Sequence, residues 1–153
     1  MAGRFLATRT VKILAFFAPL MLIAGCVEGE KLATVEASRI IGTWSEPSGG
    51  RISFSEKRTF EAHGIDVKSA IYAGCPAGDS TGTWGFFVDE GKPGGFLFVS
   101  REASSGETLG ITFDGAPEGE CEISLNVIQG GETLCATDDP DFTCGLEIRF
   151  SRR

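Results

Sequence analysis

The feature that most restricts the fold is a strict alternation of apolar and polar residues in the second half of the chain. Three segments show it, with apolar members at Leu109, Ile111 and Phe113, at Cys121, Ile123, Leu125 and Val127, and at Leu146, Ile148 and Phe150. A period of two places every apolar side chain on one face of an extended strand, whereas a helix would spread them around its circumference. Each segment is therefore predicted to be a strand with one buried face and one wet face.

Six further strands are predicted over residues 40–45, 51–55, 59–63, 81–88, 95–100 and 133–136. Turns rich in glycine and proline separate them, at residues 47–50, 90–94, 114–117 and 130–131. Short strands joined by such turns, without a long helix, favour an antiparallel meander. We expect residues 39–153 to form one all-β domain that closes into an up-and-down barrel of about eight strands, because closure removes exposed strand edges. A two-sheet β-sandwich is the alternative.

The first 25 residues have the composition of a secretory signal peptide. Residues 1–12 are basic and contain no acidic side chain, and residues 13–23 form an apolar run interrupted only by Pro19. Eleven helical residues span about 16 Å, roughly half the thickness of a bilayer's hydrocarbon core. The sequence therefore predicts export and removal of residues 1–25, and not a transmembrane helix.

The tetrapeptide Ile23-Ala24-Gly25-Cys26 resembles the lipobox of bacterial lipoproteins. The resemblance implies that cleavage leaves Cys26 as the N-terminus and that its thiol receives a diacylglycerol. Two or three acyl chains on one residue anchor a protein stably. We expect an extracytoplasmic protein anchored to the outer face of the cell membrane, with residues 26–38 as the lipidated cysteine and a polar tether. The alternative to the lipid anchor is an incidental Cys26 after an ordinary signal peptide. The alternative to an unstructured tether is a short helix over residues 32–39.

The four other cysteines, Cys75, Cys121, Cys135 and Cys144, predict two disulfides in an exported chain. Of the three connectivities, we favour Cys135 with Cys144 and Cys75 with Cys121. A bond between Cys121 and Cys144 is the rival. A zinc site is not expected, because the chain has no C-x-x-C pair and a single histidine. No cofactor is indicated, and the Asp138-Asp139-Pro140-Asp141 loop, whose carboxylates could hold Ca²⁺ weakly, lacks the spacing and the glycine of an EF-hand.

Charge restricts the partners. The whole chain has a formal net charge of -7, and loss of residues 1–25 leaves 11 basic and 21 acidic residues. Such acidity repels the phosphates of nucleic acids and anionic lipid headgroups. A nucleic-acid partner is therefore not expected.

The motifs that could carry catalysis are weak. Residues 78–82 read G-D-S-T-G, the pattern of a hydrolase nucleophile elbow, but a strand follows and the only histidine, His63, precedes the serine. We interpret this motif as a turn, and His63 as a solvated residue near a strand end. Two acidic clusters are interpreted as solvated turns, at Glu118, Glu120 and Glu122 and at Asp138, Asp139 and Asp141. No catalytic residue and no enzyme activity are predicted.

Gly42-Thr43-Trp44 is similar to the lipocalin signature, in which the tryptophan plugs one barrel end and a basic residue from a late strand lies over it. That resemblance gives Arg149 the basic role, through a cation-π contact. The order of lipobox, polar tether, GTW, second GTW at residues 82–84 and terminal CGLEIRF resembles small lipocalin-like lipoproteins of high-GC Gram-positive bacteria. This resemblance implies a localisation and a barrel, and no activity.

Two functions follow from these expectations. Five aromatic residues are candidates to line a ligand cavity or to fill the core: Trp44, Phe54, Phe60, Trp84 and Phe86. We favour a filled core, because nine phenylalanines follow residue 25. The favoured function is a non-catalytic interaction or structural module of the cell envelope, with an exposed apolar patch around Phe142 or Phe87. The alternative is a lipocalin-like binder of a small hydrophobic ligand, and a protease inhibitor is a distant third.

Overall fold

The computed structural model describes residues 30–65, 75–76, 78–93, 95–117, 120–138 and 142–152. Its elements in chain order are β1 (Val35–Glu36), α1 (Ala37–Ile40), β2 (Gly42–Ser45), β3 (Arg51–Phe54), β4 (Thr59–Ile65), β5 (Gly78–Asp89), β6 (Leu97–Ser100), β7 (Ser105–Gly106), β8 (Thr108–Phe113), β9 (Glu122–Ile128), β10 (Thr133–Thr137) and β11 (Arg149–Arg152). The described part of the chain contains no helix long and apolar enough to cross a membrane.

Eight antiparallel strands close into a barrel, as the alternation predicts. Around the barrel the order is β2, β3, β4, β5, β8, β9, β10 and β11, and each strand pairs with its neighbours. The circle closes where β11 returns to β2, with Arg152 opposite Trp44 and Ser151 opposite Ser45. The β-sandwich alternative is therefore wrong, because no free edge divides these eight strands into two sheets. β6 is an additional strand that pairs with β5.

The alternating residues of β8 and β9 point into the barrel. Leu109, Leu125 and Val127 have 0% or 1% of their surface exposed, and Ile111 and Ile123 about 5%. Apolar burial of this kind contributes about 25 cal/mol per Å² removed from water. The inward faces of these strands therefore belong to the core.

The last strand is shorter than the alternation predicts. Glu147 adopts a left-handed backbone with a φ of 56°, which an extended strand cannot contain. Leu146 and Ile148 are only half-buried, and β11 begins at Arg149. Residues 146–148 still lie beside β10, since the Ala136 amide donates to the Ile148 carbonyl.

Residues 37–40 form a helical turn before the first barrel strand, where a strand is predicted from residue 40. Ile40 at the end of this turn is fully buried. Burying its side chain under the barrel end outweighs the extended preference of a β-branched residue. The alternative of a short helix over residues 32–39 is wrong for most of its length, because Leu32 bridges to Ile128 and residues 35–36 form β1, and only residues 37–39 are helical.

Chain segments outside the eight strands pack against β9 and β10. Both faces of β10 are buried, although only one points into the barrel. At the end of β9, the Leu32 backbone bridges to Ile128 and the Ala33 amide donates to the Val127 carbonyl. Residues 30–36 of the expected tether therefore lie along the barrel wall.

Candidate interaction surface

The barrel interior is filled by the aromatic residues that the sequence singles out. Trp44, Phe60, Trp84 and Phe86 are 0% or 1% exposed, and Phe54 is 3% exposed. Trp84 makes edge-to-face contacts with Phe54 and Phe86, with ring centroids 5.6 and 5.9 Å apart. Such contacts add about 0.5–1.5 kcal/mol to the gain from burial.

A cavity of about 20 Å³ lies among other apolar residues of the barrel, such as Ile52, Leu125 and Phe150. That volume is sufficient for about one water molecule. The five aromatic candidates therefore serve as core in the described part of the barrel, and this interior cavity is too small for an organic ligand.

An arginine from the last strand closes one barrel end, but it is Arg152 and not Arg149. The Arg152 guanidinium lies 5.6 Å from the Trp44 ring centroid and donates to the carbonyls of Arg39 and Ile41. Arg149 is paired instead with Glu30 on the outer face, at 2.6 Å. The prediction for Arg149 is wrong because the strand alternation places its side chain outside the barrel, whereas Arg152 lies opposite Trp44.

The second tryptophan has an arginine of its own at the same end. Arg58 lies 4.2 Å from the Trp84 ring centroid and donates from Nη2 to the Ala103 carbonyl. Its Nη1 is buried without a hydrogen-bond partner. Burial, followed by repulsion from Arg101, lowers the pKa of Arg58 below its ordinary value. Arg58 is not among the residues predicted from the sequence, because it lies in the turn between β3 and β4.

The favoured disulfide pairing is confirmed. Cys75 is bonded to Cys121 with their Cα atoms 4.9 Å apart, and Cys135 is bonded to Cys144 with theirs 5.3 Å apart. A Glu30 carboxylate oxygen lies within 4.8 Å of the Cys135 and Cys144 sulfurs. Because these sulfurs are bonded to each other, they offer no thiolate to a metal ion.

The exposed apolar surface lies on β6 and the residue before it. Four consecutive side chains there, which we call the apolar arm, are largely in solvent: Phe96 (79% exposed), Leu97 (68%), Phe98 (48%) and Val99 (40%). Among the described residues, the β6 backbone pairs with β5 alone. Contiguous exposed apolar residues of this kind mark interaction sites in soluble domains.

The arm leans over the outer wall of the barrel because two glycines leave room for it. A Cβ on Gly85 would come within 2.5 Å of the Ser100 carbonyl oxygen, and a Cβ on Gly110 within 2.3 Å of a Val99 methyl. The closeness of Val99 to Gly110 brings the arm over β8. Glycine is therefore required at both positions for the arm to lie this close.

Two adjoining grooves run beneath the arm. One of about 270 Å³ is lined by Leu97, Val99 and the outer faces of β8 and β9. The other, of about 380 Å³, extends from Leu97 and Phe87 across Asn126 to Leu32 and Thr143. The barrel wall beneath both grooves includes the small residue Ser124. Open space therefore remains between the arm and the wall.

The predicted patch residues lie at this surface. Phe87 lines both grooves and is half-buried, and Phe142 is 63% exposed beside Thr143. The arm itself was not predicted, although F-L-F-V is an apolar run without alternation. A strand with apolar residues on both faces needs cover on both, and here only one face lies toward the barrel.

The G-D-S-T-G motif lies inside β5 and not in a turn. Ser80 pairs with Ala62 across the β4–β5 ladder, so it does not occupy the sharp strand-to-helix turn of a nucleophile elbow. His63 and Asp79 are 3.2 Å apart, and both side chains are exposed. They border an open cleft of about 330 Å³ together with Ser80 and Asp114.

The acidic clusters are only partly described. Glu120 and Asp138 are exposed, and Asp138 lines the larger groove. Glu122 belongs to β9. Glu118, Asp139, Asp141 and the predicted lipidation site Cys26 lie outside the described residues.

Comparisons with protein-family models, with curated proteins and with solved structures find no match to this chain. Function must therefore be inferred from the residues of the chain itself. The surface with the clearest binding chemistry is the apolar arm and the grooves beneath it.

Proposed function

We propose that the protein is a membrane-tethered extracytoplasmic lipoprotein whose barrel is a non-catalytic interaction module of the cell envelope. The observation that carries the binding role is the apolar arm, exposed on the outside of a barrel whose interior is filled. Four adjacent apolar side chains are unfavourably exposed to water, and the free energy falls when a partner covers them.

The anchored location is supported by the N-terminal sequence. Residues 1–25 have the order of a secretory signal peptide, and Cys26 follows small residues as in a lipobox. The two disulfides fit an oxidising compartment outside the cytoplasm.

Cell fractionation tests the anchor. Cys26→Ala removes the thiol that would carry the acyl chains, so this variant should leave the membrane fraction or remain as an uncleaved precursor. Val27→Ala, which changes the neighbouring residue and keeps the thiol, should remain in the membrane fraction at the mature mass. A Cys26→Ala variant that is processed and membrane-bound like the wild type would refute the lipid anchor.

Photo-cross-linking in living cells tests the binding surface. A photoreactive amino acid at position 97 should form a covalent adduct with a neighbouring molecule, because Leu97 lies on the apolar arm. The same group at position 51, an exposed site on β3 across the barrel, should not. Absence of an adduct at both positions would contradict the binding role of the arm.

A second candidate function is the capture of a small hydrophobic molecule, which the outer grooves favour over the interior. Together with Phe87, the arm overhangs adjoining spaces of about 270 and 380 Å³. Native mass spectrometry of the exported chain, purified without detergent and exposed to a lipid extract, tests this alternative. A discrete adduct that disappears in Leu97→Asp but persists in Arg51→Ala would support it, and a bare chain would argue against it.

A further inference from the structure

We propose that the apolar arm and Leu32 dock on the surface of the bilayer that holds the Cys26 anchor. This inference rests on the proposed lipid anchor and names the partner of the arm. Its occupant is the lipid membrane itself, and contact with a second copy of the chain is the competing outcome.

Only a short length of chain separates the anchor from the barrel. Glu30 lies beside the barrel wall, 2.6 Å from Arg149, and the Leu32 backbone bridges to Ile128. Only four residue steps separate Cys26 from Glu30, and a fully extended chain spans at most about 3.5 Å per residue. An acylated Cys26 therefore holds this side of the barrel within about 14 Å of the membrane.

The apolar arm lies on the same side of the barrel as Leu32. Leu32 is 43% exposed and lines the larger groove opposite Leu97. Phe142, next to Thr143 at the rim of that groove, is also exposed. The part of the barrel that the anchor brings closest to the bilayer therefore carries large apolar side chains that are exposed among the described residues.

The side chains of this face determine how it can bind a membrane. Phenylalanine and leucine side chains gain about 1.5–3 kcal/mol each when they move fully from water into an apolar environment, and partial insertion gives a fraction of that. The carboxylate of Asp138 lines the groove, and Glu30 is neutralised by Arg149. Phosphatidylcholine headgroups carry no net charge, so docking on them should depend on apolar contact and should change little with salt.

Fluorescence quenching by brominated lipids tests the inference. The acylated full chain, as exported and processed, is reconstituted into phosphatidylcholine vesicles with bromine on the acyl chains. The native Trp44 and Trp84 are at most 1% exposed, so they are shielded from lipid. A tryptophan substitution at a surface position therefore reports membrane contact at that position.

Leu97→Trp should be quenched at least twofold more than Arg51→Trp, which places the probe on β3 across the barrel. Phe96→Trp provides a second probe on the arm should Leu97→Trp disturb the fold. Raising the salt concentration from 0.1 to 1 M should leave the difference in place. Equal quenching of the arm probes and Arg51→Trp in an acylated chain would overturn docking while leaving the anchor intact.

Two other results would also be decisive. Unquenched arm probes together with a dimer in analytical ultracentrifugation, lost on Leu97→Asp, would assign the arm to a second copy and overturn membrane docking. A mature chain whose mass shows no acyl group on Cys26 would refute the anchor and this inference together.

Discussion

Two arginines hold the two tryptophans of the barrel end in place. Arg152 spans Trp44 and the carbonyls of Arg39 and Ile41, so it joins the last strand to the helical turn before the first. Arg58 lies over Trp84 and reaches Ala103. A guanidinium can do this because it stacks on a ring and donates several hydrogen bonds in its own plane.

Arg152→Ala should reduce the free energy of unfolding by about 1–3 kcal/mol, because it removes a ring contact and two hydrogen bonds from a partly buried site. Arg149→Ala is the matched control on the same strand. Its ion pair with Glu30 is partly exposed, so its loss should cost about 0–1 kcal/mol. Urea denaturation measures both, and an equal or larger loss in Arg149→Ala would contradict the assigned role of Arg152.

Both β6 and β10 have a face that points away from the barrel interior. That face is covered in β10 and lies in solvent in β6. Residues 142 and 143, which precede Cys144, cover the outer face of β10. Thr137 donates to the Phe142 carbonyl, and the Cys135 sulfur lies beside the Thr143 carbonyl. β6 has no such cover among the described residues. It is held to the barrel by β5 and by the close approach of its backbone to Gly85.

Gly85→Ala should push the arm away from the barrel, because the added methyl would meet the Ser100 carbonyl. Hydrogen exchange followed by mass spectrometry should show at least tenfold faster exchange in β6, while β8 and β9 keep their protection. Ser53→Ala, on the opposite wall, is the control and should leave β6 unchanged. Unaltered exchange in Gly85→Ala would show that the arm does not depend on this contact.

For the whole molecule, stability depends on a filled interior and two covalent links. The disulfides close loops of very different size, with sequence separations of 46 and 9 residues. Loop entropy in the unfolded chain predicts a stabilisation of about 4 kcal/mol for the longer loop and about 2.5 kcal/mol for the shorter.

Replacing Cys75 and Cys121 together by alanine should therefore destabilise the protein more than replacing Cys135 and Cys144 together. Chemical denaturation of the two double variants measures the difference. The opposite order would mean that the covering of β10 by residues 142–146, and not loop size, sets the stability.

Phe86→Ala should cost about 3–5 kcal/mol and open a cavity in the barrel, because the side chain is fully buried against Trp84. The variant should bind a small apolar probe such as benzene, which the wild type should not bind. Calorimetric titration checks this, and equal binding by the wild type would show that its interior is less filled than the packing indicates.

The alternation in β8 and β9 determined the strand type and the buried face, because a period of two places all apolar side chains on one face of an extended strand. It fits a sandwich as well as a barrel, and the pairing of β11 with β2 decided for the barrel. Cysteine number determined two disulfides, while their pairing could only be favoured. The N-terminal pattern predicts export and an anchor at Cys26, which stay predictions.

Only the tertiary structure decided which arginine covers Trp44, since the register of β11 on β2 places Arg152 opposite Trp44. It also decided that the apolar arm lies outside the barrel. A run of four apolar residues is as compatible with a core strand as with an exposed one. The arm is exposed because β5 pairs with β4 and β8 within the closed barrel. β6 is therefore an additional strand on β5 and not one of the eight barrel strands.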